Sequence, residues 1–258
     1  MTWTTRPRSD FGTLRASVAG AGATVVMIHG VGLRAEAWNA QADALSSRFR
    51  VIAVDMPGHG DSPLVRGAAQ LSDYADDILA ALEAPALVVG HSMGAMVALD
   101  MALRSPLVAG VAALNAVFQR DPDAARAVQD RANALDGTTR PDPTGTLLRW
   151  FGTAASPERD ACATWLGCMD PGAYRAAYTV FAHENGPDPS ALATLPCAAL
   201  FMTGAEEPNA TPAMSHAMAG LAPNARAQIV PGAAHMMPMT HPRMVNAALH
   251  NFAAEIFA

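Results

Sequence analysis

The chain has 258 residues, 51% of them apolar and 16% charged, which is length enough for one large core and too little charge for a disordered protein. Acids outnumber bases 23 to 17, giving a net charge of −6 with no basic cluster, so nucleic acid and anionic membrane surfaces are excluded as expected partners. All 17 basic side chains are arginine, which excludes Schiff-base lysine chemistry, pyridoxal phosphate and a lysine-dependent phosphate loop.

No apolar run reaches the roughly 18 residues that span a bilayer, and the first residues lack the apolar core of a signal peptide, so a cytosolic location is expected. Cys162, Cys168 and Cys197 have no metal-site spacing and read as reduced thiols in apolar space.

In chain order, Thr4 to Ala19 holds two alternating runs broken at Asp10-Phe11-Gly12, the pattern of an edge hairpin. Thr24 to Ile28 is apolar on both faces and predicts a central parallel strand running into His29-Gly30-Val31-Gly32. A helix is expected over Glu36 to Arg48, a buried strand over Arg50 to Val54, and an amphipathic helix over Leu71 to Glu83. At Ala86 to Leu99 a β-branched run stops at Gly90, Ser92 follows, and after Gly94 the apolar spacing turns helical. That is a strand, a sharp turn and a helix, with the serine hydroxyl projected above the sheet edge and the helix N-terminus aimed at it. A strand over Val108 to Leu114 completes an alternating series, which predicts a doubly wound, mostly parallel α/β sheet.

From Val117 to Ala193 no buried strand appears. Asp-Pro pairs alternate with helical stretches carrying large apolar side chains, so residues 118–193 are expected to form a helical cap inserted between core segments 1–117 and 194–258. Strands over Cys197 to Met202 and Ala225 to Val230, and helices over Thr211 to Leu221 and from His241 onward, then restore the alternation.

One competing pattern is present. Gly30-Val-Gly32-Leu-Arg-Ala35 follows a strand and matches the dinucleotide-binding fingerprint, with Asp55 ending the next strand. His29 directly before the first glycine, and the continuation of Asp55 into Pro57-Gly58-His59-Gly60, argue against it. It also leaves Ser92 unexplained.

A serine is a poor nucleophile unless a base takes its proton and a buried carboxylate holds that base in one tautomer. His235, in the loop Pro231 to Pro238 after the last strand, lies at the expected edge; His29, His59 and His91 follow other strands and read as loop supports. The acid is sought at the end of the preceding strand, where Glu206 and Glu207 adjoin; Glu207 is preferred, with Asn115, Asp121 or Asp123 as substitutes.

With these residues in place, the chain resembles the α/β-hydrolase fold superfamily over nearly its whole length. The resemblance rests on His29-Gly30-Val31-Gly32, on Asp55-Met-Pro-Gly58-His59-Gly60-Asp-Ser62, on Gly90-His91-Ser92-Met93-Gly94, on Gly204 to Pro208, and on Gly232 to His235. It implies Ser92 as nucleophile, His235 as base, the acid before Pro208 as third member, and an oxyanion hole from the N–H groups of Val31 and Met93. The departure is at the acid, where the family usually has aspartate.

The function expected is a serine hydrolase that cleaves a carboxylic ester or lactone through an acyl-enzyme, with no metal or organic cofactor. Trp38, Trp150, Phe151, Trp165 and Met236 are candidates for an apolar pocket, and Arg34, Arg149 or Arg175 for binding a substrate carboxylate. Alternatives are a carbon–carbon bond hydrolase of ring-cleavage products and a hydrolase-like binding protein without turnover. The partner expected is a small-molecule substrate, and the protein a monomer or homodimer.

Overall fold

The computed structural model describes residues 3–64 and 69–258. Strands β1 (Ser9–Phe11) and β2 (Leu14–Ala19) form the antiparallel edge hairpin. β3 (Thr24–Ile28), β4 (Arg50–Asp55), β5 (Ala86–His91), β6 (Val108–Leu114), β7 (Ala198–Gly204) and β8 (Ala225–Val230) run parallel. The sheet has eight strands in the order β1-β2-β4-β3-β5-β6-β7-β8. Chain progression reverses at β3, between β4 and β5, so the crevice at the carboxyl ends of β3 and β5 is where such a sheet binds ligands.

Successive side chains of the parallel strands point to opposite faces, and both faces are covered. Val26 and Ile28 pack toward α2 (Leu71–Leu79) and α3 (Met93–Arg104), whose Tyr74, Ile78 and Val97 lie in the same cluster. Val25 and Met27 pack toward α1 (Asn39–Leu45) and α11 (Pro242–Ile256), through Leu45, Leu249 and Phe252. Each such side chain, fully withdrawn from water, contributes about 1.5–3 kcal/mol.

Two helices are shorter than the sequence predicts. Over Glu36 to Arg48 the chain makes a 3₁₀ turn at Ala35–Trp38 before α1, and α2 stops at Leu79, well before Glu83. Past Leu79 the N–H groups of Ala81 and Leu82 bond only three residues back, to Ile78 and Leu79, so the chain turns out of the second helix well before Pro85.

Between β6 and β7 the described residues are helical: α4 (Pro122–Asn133), α5 (Thr144–Phe151), α6 (Pro157–Cys168), α7 (Pro171–His183) and α8 (Pro189–Leu192). The Asp-Pro pairs of this segment are helix starts. Asp121, Ser156, Asp170 and Asp188 each accept a main-chain N–H at the N-cap of a helix whose first residue is proline. α9 (Pro212–Leu221) links β7 to β8, and α10 (Met237–Thr240) follows the His235 loop.

Candidate active site

Ser92 sits between the end of β5 and the start of α3 with φ at 57°, a left-handed backbone that costs energy for a residue with a side chain. The turn closes because its neighbours are glycines. A Cβ on Gly90 would overlap the Gly94 carbonyl, and one on Gly94 would overlap the carbonyl oxygens of Ile28 and His29. The Ser92 N–H is tied to the Leu114 carbonyl at 2.9 Å, which anchors the turn to β6. Met93, the first residue of α3, has no helical carbonyl one turn back for its N–H to meet.

The same stepwise lacing continues across the sheet. Asn115, with φ at 51°, donates its main-chain N–H to the Met202 carbonyl at 2.8 Å, and Glu206 donates its N–H to the Ala233 carbonyl at 2.8 Å. Gly204 has no room for a side chain, since a Cβ there would overlap the Ala233 carbonyl. The loops after β5, β6, β7 and β8 are thereby bonded in sequence at one edge.

Within that edge His235 and Glu207 form a buried pair, Nδ1 to Oε2, at 2.7 Å. The second carboxylate oxygen of Glu207 accepts the N–H groups of Asn209 at 2.8 Å and Ala210 at 3.3 Å. Burial alone would raise the Glu207 carboxyl, but the charge and hydrogen bond of His235 and the two main-chain donors hold it down at about 2. An ionised Glu207 can only accept, so the neutral ring carries its proton on Nδ1 and presents the Nε2 lone pair. Glu206 is exposed.

The ring of His235 lies between two others: His91 at a centroid distance of 4.9 Å and Trp150, stacked at 5.5 Å and 21°. Its main-chain oxygen accepts the Nε2–H of His91 at 2.8 Å and the side-chain amide of Asn115 at 2.6 Å. Ser92 and His235 line one cavity, along with Val31, Asn115 and Trp150, with about 760 Å³ of empty space including its open mouth. No hydrogen bond joins the Ser92 hydroxyl to the His235 ring among the described residues.

Of the pocket candidates, only Trp150 lines this cavity. Trp38 is buried on the opposite side of the sheet with Val25 and Met27, because the 3₁₀ turn carries it under β3 and edge-on to His91. Met236 is 1% exposed and packs into the core beneath its loop. Phe151 lines an outer cleft beside Gly232, and Trp165 lines another beside Arg34 and Gly58, because successive residues on their helices face different directions. Of the arginines proposed for a carboxylate, Arg34 is paired with Glu36 at 2.8 Å and Arg175 donates to the Asp136 carbonyl, whereas Arg149 does line the cavity. The substitutes for the acid are also accounted for. Asp121 is a helix cap, Asp123 is exposed beside Arg126, and Asn115 holds the His235 carbonyl.

Asp55 is not free to hold a ribose. Its carboxylate takes the Arg8 guanidinium at 2.7 Å and the N–H groups of Ala35 at 2.7 Å and Asp61 at 3.1 Å. Arg8 also pairs with buried Glu36 at 2.7 Å. His29 accepts the Met56 N–H on Nε2 at 3.1 Å, so its Nδ1–H donates to the Gly30 carbonyl at 2.8 Å. It is a loop support in one defined tautomer. Among the described residues no cluster of three metal-ligating side chains occurs, and no helix is long and apolar enough to cross a membrane.

Sequence reasoning missed Arg120 and Arg131, which line the cavity with Arg149. The signal was present for Arg131, which lies three residues after Val128 and therefore on the same face of α4.

Comparison with known proteins gives consistent results. A family model described as "Alpha/beta hydrolase family" matches residues 25–248. A protein of Acinetobacter baylyi named (E)-2-((N-methylformamido)methylene)succinate hydrolase is 35% identical over 237 residues, covering 89% of this chain and 90% of that one. Among solved structures, an esterase from Thermogutta terrifontis superposes with a TM-score of 0.84 at 24% identity, covering 98% of this chain and 100% of that one. An E-2-(acetamidomethylene)succinate hydrolase superposes with a TM-score of 0.77 at 26% identity, covering 96% and 98%.

Proposed function

Because the chain belongs to the alpha/beta hydrolase family, we propose that it is a serine hydrolase of small molecules in which Ser92, His235 and Glu207 act as one proton-transfer chain. Nε2 of His235 takes the Ser92 hydroxyl proton as the oxygen attacks a substrate carbonyl. Glu207 keeps that ring in its Nδ1–H form and stabilises the imidazolium. The N–H groups of Val31 and Met93 receive the negative charge on the tetrahedral oxygen, a donor of this kind being worth about 3–4 kcal/mol. The imidazolium protonates the departing group, an acyl-serine remains, and a water activated by the same nitrogen releases the acid.

The observation that carries this reading is the buried 2.7 Å contact between Glu207 and His235 on the wall of the cavity that Ser92 lines. The bond first considered is a carboxylic ester or lactone. A second reading, hydrolysis of an amide attached to an unsaturated carboxylic acid, is favoured by the 35% identity to a hydrolase whose name describes such a molecule. Both use the same steps and differ in whether oxygen or nitrogen departs.

The test is a pre-steady-state burst of nitrophenol from p-nitrophenyl acetate, together with covalent labelling by a fluorophosphonate. Wild type is expected to show both with the label on Ser92, and Ser92→Ala neither. A burst that survives Ser92→Ala overturns the assignment.

A further inference from the structure

The cavity is unusual for a protein of net charge −6: three arginines, Arg120, Arg131 and Arg149, line it, and no aspartate or glutamate does. Among the described residues none of the three takes part in an ion pair. By contrast, five arginines outside the cavity are closely neutralised. Arg6, Arg8, Arg34, Arg104 and Arg226 all meet carboxylates at 2.5 to 2.8 Å.

Each of the three is oriented by neutral groups instead. Arg120, only 8% exposed, donates to the carbonyl oxygens of Glu184 and Phe181 and lies 4.6 Å over the Phe181 ring. Arg131 donates Nε–H to the Tyr178 hydroxyl at 3.1 Å, leaving its Nη groups unused, and Arg149 donates from Nη2 to the Thr146 hydroxyl at 2.9 Å. Burial lowers the Arg120 guanidinium to about 10; Tyr178 and the Glu184 carboxylate oppose the shift, and the like charge of Arg131 adds to it. Arg120 is thus a buried cation with no ion pair, a costly arrangement that a bound anion would relieve, while Arg131 is half-buried and Arg149 exposed.

We propose that Arg120, Arg131 and Arg149 form a receptor for the two carboxylates of a short aliphatic dicarboxylate of the succinate type, which carries the cleavable bond to Ser92. Two carboxylates match this wall better than one, because a single anion neutralises only one of three cations. Guanidinium forks bind carboxylates through paired N–H donors, which fixes the orientation of the substrate as well as its charge. Val117 and Val128, on the same wall, suit the short hydrocarbon spacer. The inference rests on the hydrolase reading above and names its substrate class.

The experiment titrates succinate, butyrate, succinamide and inorganic phosphate into the Ser92→Ala protein by calorimetry. Succinate is expected to bind at least ten-fold more tightly than each of the others. Arg131→Gln and Arg149→Gln, each added to Ser92→Ala, are expected to weaken succinate by ten-fold or more; they are preferred to Arg120→Gln because Arg120 is buried and its loss threatens folding. In the Ser92-containing protein, the preference for 2-acetoxysuccinate, which keeps both carboxylates free beside its ester, over 2-acetoxybutyrate, taken as a ratio of kcat/KM from acetate release, is expected to fall at least ten-fold in Arg131→Gln. Succinate binding no tighter than succinamide or phosphate, or binding indifferent to both arginine changes, overturns the receptor. Fluorophosphonate labelling of Ser92 separates the two claims. A labelled serine without succinate selectivity sinks the receptor alone, and succinate selectivity without labelling sinks the hydrolase reading alone.

Discussion

Asn115 donates its side-chain amide to the main-chain oxygen of His235 across 2.6 Å, so a residue at the end of β6 fixes the loop after β8. The Oδ1 of the same Asn115 side chain accepts the Gly204 N–H at 3.3 Å, which ties in β7 as well. Replacing Asn115 by Leu keeps the bulk and leaves the buried His235 oxygen with His91 alone. The expected cost is about 1–3 kcal/mol of stability. We further expect a fall of about ten-fold or more in kcat from a displaced imidazole. Urea unfolding and nitrophenyl acetate kinetics measure the two; an unchanged kcat in a folded variant contradicts the positioning role.

Glu207→Gln keeps the shape and removes the charge that holds the Nδ1–H tautomer. A loss of about 10³ to 10⁴ in kcat is expected, by the precedent of an acid-to-amide change in a serine-protease triad. Glu206→Gln, on an exposed side chain, is the control and should stay within two-fold of wild type. Comparable losses in both variants would place the carboxylate's role elsewhere.

Stability should fall between pH 7 and 5. Burial pushes three histidines down from 6.5: His59 to about 4, His91 to about 3 with repulsion from His235 adding to it, and His29 well below its ordinary value. As pH drops through 6.5 the unfolded chain gains protons on these residues that the folded chain does not accept, so stability present above 6.5 is lost down to about 4. The loss is about 2 kcal/mol per histidine between pH 7 and 5. Glu207 and Glu36, both held at about 2, act in a lower window, losing their contribution only as pH falls below 4.5 toward 2. Urea midpoints at the two pH values report the effect, and His59→Asn should flatten the slope; equal midpoints for wild type would show that the folded histidines titrate normally.

Gly94→Ala tests the turn that presents Ser92. The new Cβ would overlap the carbonyl oxygens of Ile28 and His29, which are main-chain atoms of a central strand edge and cannot swing aside. A loss of about 3 kcal/mol or more is expected, seen as a lower thermal midpoint. A midpoint within one degree of wild type would mean that the turn relaxes freely.

The alternation of strands and helices is legible in the sequence because parallel strands buried on both faces read as unbroken apolar runs, as at Val25 to Ile28. The turn at Ser92 is legible because close approach of two backbones admits only glycine. The residue lining the cavity is another matter. Trp38 and Trp150 look equivalent along the chain, and only the direction in which a 3₁₀ turn or a helix leaves the sheet sends one below it and the other over His235. Likewise Glu206 and Glu207 are adjacent acids, and the turn in which the Glu207 N–H meets the Gly204 carbonyl at 3.2 Å is what directs one inward and leaves the other in water.

The lacing of loops from β5 to β8 also governs when the protein can work during its synthesis. His91 and His235 are separated by 144 residues, and the carbonyl they share is reached only after β7 and β8 have docked. A ribosome-bound chain released before that point has a serine with no base beside it, and pairings this distant form slowly. Under the proposed mechanism turnover therefore waits for β8 and the loop that follows it to dock.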